Sequence, residues 1–184
     1  MSIQVSTSAD ESLKSTGFRS EGSTTNGNGL IEFISFSIGE DQYGVAIMSV
    51  REIKGWSGVT HLPKQPDYVR GVLNLRGVMV PIIDLRCRFG QGLTEATAMH
   101  VVIIVQIEER LVGLLADRVL DIVSYEGAKI QPVPRMNGSG EGFFLSGLLT
   151  IDDAMIAVID LQHLLNSQIE ISPARNDGAV AMSA

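Results

Sequence analysis

The chain has one cysteine, Cys87, among 184 residues. An internal disulfide is therefore impossible and no CxxC pair exists, which suits a reducing cytosol. Aromatic residues are equally scarce at 5%, so a core must rest on Val, Ile, Leu and Met. Basic residues are outnumbered, 14 against 21 acids, for a formal net charge of −7. That balance argues against nonspecific nucleic-acid binding, where lysine and arginine must neutralise phosphates, and against polybasic attachment to an anionic membrane. The longest apolar run, Val101 to Val105, is far short of the ~20 residues that span a bilayer. The N-terminus lacks a basic segment followed by an apolar stretch, so no signal peptide is expected. The expected location is the cytoplasm, without membrane insertion.

What remains is ample apolar material, 45% of the chain, concentrated between two polar ends. Residues 1–29 are dominated by Ser, Thr, Gly and Asn and bury too little to offset their ordering entropy, so a disordered arm is expected there. A flexible tail is expected over 172–184, leaving 30–171 as the globular part. Its apolar residues recur at period two. Ile31, Phe33, Phe36 and Ile38 precede a Gly-Glu-Asp turn, with Tyr43 and Val45 beyond it. The stretch around Val101–Ala116 repeats this plan about Glu108-Glu109-Arg110. Both read as β-hairpins, and short strands with frequent turns favour small barrels over a parallel sheet.

The chain also repeats itself. Slid by 76 positions, Gly71 falls on Gly147, Leu73 on Leu149, Ile83 on Ile159 and Asp84-Leu85 on Asp160-Leu161. Slid by 69, Gly44 falls on Gly113, Val50 on Val119, Glu52 on Asp121 and Ile53 on Ile122. Two copies of one β-rich unit imply two similar barrels, approximately 30–90 and 100–165, joined near residues 90–99, with strands open to exchange between them. Asp84 and Asp160 each close an apolar strand before a segment with helical spacing, which predicts two short N-capped helices. A carboxylate recurring in both halves as a cap is architecture.

Candidates for chemistry are weak. His61, His100 and His163 show no metal-ligand spacing, and Asp152-Asp153 falls at a hairpin turn where Arg76-Gly77 stands in the first copy. The run Gly138–Gly142 lacks the Lys-Ser/Thr of a phosphate loop. Asn137 opens a glycosylation sequon that matters only in a secreted protein, and Pro63–Pro66 reads as a rigid connection. No cofactor or metal is expected. Arg76 sits at an expected hairpin tip, with Gly77 supplying a positive φ, and Glu52 is the acid chosen to pair with it. A small β-barrel enzyme using Asp84, His61 and Arg76, or a ligand-binding barrel using a groove as its pocket, are the competing readings.

Three stretches decide between them: "YGVAIMSVREIKGW", "VTHLPKQPDYVRGVLNLRGVMVPIIDLRCRFG" and "LVGLLADRVLDIV". Together they resemble the CheW-like chemotaxis coupling family over roughly residues 30–167. The resemblance implies an all-β fold of two five-stranded SH3-like barrels sharing a hydrophobic core, and no catalysis. It implies an adaptor joining the cytoplasmic tip of methyl-accepting chemoreceptors to the regulatory domain of the CheA histidine kinase, recruited to membrane-associated arrays. CheA itself and CheV proteins carry further domains for which this chain has no room. A related, non-flagellar chemosensory pathway is an alternative setting. By match to the family, Ile47, Val50, Glu52, Gly71, Val101, Val119 and Ile122 are assigned in or near a receptor groove, and Arg76 to the family's functionally important arginine. Leu62 and Met136, in equivalent loops, are assigned to kinase docking.

Overall fold

A computed structural model describes residues 29–134 and 144–166. The chain runs β1 (Leu30–Ile38), β2 (Asp41–Ala46), β3 (Val50–Gly55), β4 (Val69–Leu75), β5 (Val78–Asp84) and α1 (Leu85–Arg88). The second half repeats the series as β6 (Val101–Ile107), β7 (Arg110–Ala116), β8 (Arg118–Glu126), β9 (Leu145–Ile151), β10 (Ala154–Ile159) and α2 (Leu161–Asn166). These strands form two five-stranded sheets, so the architecture is all-β.

The sheets do not follow the two halves of the sequence. One has the order β8-β1-β2-β10-β9 and the other β3-β6-β7-β5-β4. Each half therefore gives its first hairpin to the sheet built mainly from the other half. Replacing every strand by its counterpart in the other repeat converts one order into the other, so the pair has an internal two-fold plan. Where the halves meet, the pairing is parallel: β2 beside β10 in one sheet, β5 beside β7 in the other. All other pairings are antiparallel.

Three clusters of buried side chains explain the sequence pattern. Val80, Ile82, Val102, Ile104 and Leu115 fill the concave side of the β3–β7 sheet. Phe33, Leu149, Ile156 and Val158 do the same for its counterpart. The largest cluster lies between the sheets and draws on both, including Phe36, Val45, Ile83, Ile103, Val105 and Leu114. In β6 successive residues alternate between these destinations, Ile103 and Val105 to the shared core, Val102 and Ile104 to the sheet's own. A central strand buried on both faces has no polar face, which accounts for the unbroken run Val101–Val105. Each fully buried Leu, Ile or Phe contributes about 1.5–3 kcal/mol of hydrophobic stabilisation. The few aromatics are concentrated here: Phe36, Tyr43, Phe89 and Phe144 form a row with ring centroids 6.2, 4.9 and 6.2 Å apart.

Strand pairings leave β3 and β4 as edges of one sheet and β8 and β9 as edges of the other, so neither sheet closes fully by strand pairing. Curling nevertheless brings the edges near one another. Thr60, in the β3–β4 connection, bridges Val72, and Gln131 bridges Leu148 at the equivalent place. Gly71 and Gly147 lie beneath these crossings. A Cβ on Gly71 would collide with the Thr60 carbonyl, and one on Gly147 with the Ile130 side chain. Close backbone approach thus requires glycine at 71, while at 147 it makes room for the Ile130 side chain.

Both predicted caps are present. The Asp84 carboxylate accepts from Cys87 N–H at 3.2 Å, and Asp160 from His163 N–H at 3.0 Å. Both hairpin tips are two-residue turns with positive φ throughout, Arg76 and Gly77 at 52° and 89°, Asp152 and Asp153 at 47° and 66°. That is the type I′ geometry whose twist matches the flanking strands.

Candidate partner-binding groove

The shared core comes to the surface where the chain crosses between sheets. A short 3-10 turn, Ile47–Ser49, carries it from β2 into edge strand β3. Asp117 alone carries it from β7 into edge strand β8. Ile47, Val50, Val101 and Val119 are all partly buried against the shared core, and form part of its rim. Val50 opens β3 and Val119 follows Arg118 at the start of β8, positions equivalent in the two repeats. Ile53 and Ile122, a further equivalent pair, are exposed by 41% and 55%.

Exposed apolar residues on free strand edges invite association, and proteins usually protect such edges. Here each edge strand carries a bulge at the same place. Val50 faces Val105 while Glu52 faces Ile104, leaving Arg51 as the extra residue. Val119 faces Phe36 while Asp121 faces Ser35, leaving Leu120. A bulge increases local twist and spoils edge-to-edge pairing. Ser35 reinforces the second bulge through its hydroxyl, which donates to the Asp121 carbonyl at 2.9 Å and accepts from Asp121 N–H at 3.1 Å. The sequence carried a signal for these bulges: Val-Arg-Glu-Ile and Val-Leu-Asp-Ile both break the alternation at the same register.

Arg76 and Glu52 do meet. Arg76 Nη2 lies 3.6 Å from Glu52 Oε2, with the arginine side chain 85% exposed and the glutamate 33%. The pair spans the two edges of one sheet, from the β4–β5 tip to β3. Asn74 Oδ1 accepts from Gly77 N–H at 2.7 Å and fixes the tip from within. Gly71 is brought elsewhere: it is buried in β4 beneath Thr60, with no side chain or free surface to offer a partner. Leu62 is half-buried in the β3–β4 connection, and Met136 lies outside the described residues.

The residues of the enzyme reading are not assembled. Asp84 is fully buried, and its carboxylate accepts from Thr94 N–H at 2.8 Å, Thr94 Oγ1–H at 2.7 Å and Cys87 N–H. Arg70 Nη1 stands 3.6 Å away. Arg76 has Glu52 as its charged partner and His61 is exposed. Burial, helped by the Asp84 and Asp67 carboxylates and opposed by Arg70, pushes the Cys87 thiol upward and away from nucleophile character. Among the described residues no three His, Cys, Asp or Glu side chains gather where they could hold a metal ion. No helix among them is long and apolar enough to cross a membrane.

Residues 32–168 match the family model of the CheW-like domain, nearly all of the part described above. The chain belongs to the CheW-like family. Within it, CheW proteins are non-enzymatic adaptors of chemotaxis, and the all-β double-sheet fold is shared with them. Among its relatives, a probable chemotaxis protein CheW of Rhizobium etli is 45% identical over 135 residues, 73% of this chain and 87% of that protein. Chemotaxis protein CheW of Rhizobium meliloti is 42% identical over 141 residues, 77% of this chain and 91% of that protein. The crystal structure of the scaffolding protein TtCheW from Thermoanaerobacter tengcongensis superimposes with a TM-score of 0.68 at 32% identity, covering 74% of this chain and 92% of that one.

Proposed function

We propose that this chain is the adaptor that couples methyl-accepting chemoreceptors to the CheA histidine kinase, receiving the receptor tip along the rim between β3 and β8. The observation that carries the reading is the pair of bulged edge strands with exposed Ile53, Leu120 and Ile122 beside half-buried Val50 and Val119. A receptor tip is a helical hairpin, and an amphipathic helix docks into a shallow apolar channel with a polar rim. Glu52 and Arg51 supply polar groups on the β3 side, and Arg51 is itself held by Gln106, whose Oε1 accepts from Nε–H at 2.7 Å. Arg76, anchored to Glu52, projects at the end of that wall as a coupling residue. Kinase docking falls to Leu62, in the β3–β4 connection, and to Met136. The protein then works in the cytoplasm at receptor arrays.

Calorimetric titration of the full chain against the CheA regulatory domain, and separately against a receptor-tip fragment, tests the reading. Saturable one-to-one binding to each is expected. Val50→Asp places a charge against the shared core's rim and should weaken receptor binding while leaving kinase binding and the circular-dichroism spectrum unchanged. Binding to neither partner, with all components folded, would refute the adaptor role and leave only the fold.

A further inference from the structure

The two crossovers between sheets are equivalent in the repeat, yet built differently. In the first, the place is taken by Met48, 61% exposed within the Ile47–Ser49 turn, whose start has no side-chain cap. In the second it is Asp117, and this one residue ties together four segments. Its Oδ2 accepts from Gly39 N–H in the β1–β2 turn at 2.7 Å and from Arg86 Nη2–H on α1 at 2.7 Å. Its Oδ1 faces His100 Nε2 at 3.6 Å, just before β6, and its own N–H donates to the Ser37 carbonyl of β1 at 3.0 Å. His100 is oriented in turn, because its Nδ1 accepts from Thr97 N–H at 3.1 Å and so turns Nε2 toward the carboxylate. Ser37 and Gly39 lie on the β1–β2 hairpin of one sheet, whereas Arg86, on the helix after β5, and His100, just before β6, adjoin strands of the other.

We propose that Asp117 is a positioning residue for partner binding, a clamp that locks the β8 wall of the groove and leaves the Ile47–Val50 wall to adjust. The inference rests on the groove reading above. Val119, two residues beyond Asp117, inherits its position from the clamp, whereas two residues before Val50 stands Met48, a 61% exposed thioether with no carboxylate to tie the turn. Charge-assisted bonds from Arg86 and a short backbone bond fix orientation more tightly than apolar contact alone. A groove with one fixed wall keeps register for an incoming helix while the other wall closes on it, so that binding-competent geometry is populated before the partner arrives.

The test uses full-length wild type, Asp117→Ala and Asp117→Asn. Each is titrated against the receptor-tip fragment and the CheA regulatory domain and followed by amide hydrogen exchange. In the wild type, receptor binding should protect Ile47–Val50 strongly and change Asp117–Val119 little. Asp117→Ala should bind the receptor fragment roughly tenfold more weakly through loss of the preformed wall. Its kinase affinity should be retained and exchange at residues 117–119 should rise. Asp117→Asn, which keeps a neutral acceptor for Gly39 and Arg86, should recover part of the loss. Equal weakening toward both partners would make Asp117 merely structural and overturn the proposal, as would unchanged receptor affinity in Asp117→Ala. If wild type binds no receptor fragment, the adaptor reading itself falls and the proposal with it.

Discussion

Replacing Gly71 with alanine should damage the fold far more than the same change at Gly77, although both have positive φ. Gly71 has φ 137°, and an added Cβ would fall inside the van der Waals shell of the Thr60 carbonyl oxygen and within 2.8 Å of its carbon. The obstacle is backbone, held by two bonds: Thr60 N–H to the Val72 carbonyl at 2.9 Å and Val72 N–H to the Thr60 carbonyl at 2.8 Å. Accommodating the methyl requires lifting the β3–β4 connection off β4. The strained conformation costs about 1–3 kcal/mol, and each lost bridge bond about 1 kcal/mol net. A destabilisation of about 3–5 kcal/mol is expected. At Gly77, φ is 89° but nothing lies within 4 Å of the added carbon, so only the conformational cost of about 1–2 kcal/mol applies. Urea unfolding followed by Trp56 fluorescence measures both. If the two variants lose stability equally, the crossing does not constrain the strand, and the account of why glycine stands at 71 is wrong.

Arg76→Ala should lower stability by only about 0–1 kcal/mol, since the ion pair with Glu52 is solvent-exposed, while impairing kinase control in a reconstituted receptor array. A large fall in melting temperature would make Arg76 structural instead. Asp84→Ala should cost about 3 kcal/mol or more, because it strands Arg70 and the buried Thr94 hydroxyl and N–H, whereas Asp160→Ala removes chiefly a helix cap worth about 1 kcal/mol; similar losses would contradict the difference in burial. Burial raises the Cys87 pKa, so less thiolate exists at a given pH in the folded chain than in the unfolded one. Iodoacetamide should therefore alkylate it more slowly at pH 8 when folded than in urea, with the folded rate climbing as pH rises further; faster labelling in the folded chain would refute this.

Much of the fold was legible because it is written twice. The shifts that align Gly44 with Gly113 and Asp84 with Asp160 identify equivalent hairpins, caps and tips, and each recurs in space. The allocation of strands to sheets was not legible. β1 satisfies period two equally well beside a strand of its own repeat or of the other, and nothing local distinguishes the two. Asp84 was readable as a cap but not as a fully buried hub, since its second partner, Thr94, comes from a connection whose path follows no periodicity. The Arg76–Glu52 pair was found because both residues stand at structured positions, a turn tip and a strand. Asp117 was missed because its partners, Gly39, Arg86 and His100, are remote in sequence and look like ordinary surface residues until the sheets pack. Gly71 was assigned to the groove by family match; the structure gives it a packing reason that acts from below the surface.

The exchanged hairpins have a consequence for synthesis on the ribosome. Leu30 pairs with Glu126 and Ile38 lies in the same strand facing Asp41, so β1 and β2 leave the exit tunnel with one partner each and wait for β8 and β10. Until the last two strands emerge, Phe33 lacks its buried partners Leu149, Ile156 and Val158. Contacts this distant along the chain slow folding, and a nascent hairpin with an apolar face is a natural client for a chaperone. The reward is that neither half is a complete folding unit. A product that ends before β8 cannot complete the β8-β1-β2-β10-β9 sheet, and should be found as protease-sensitive chain.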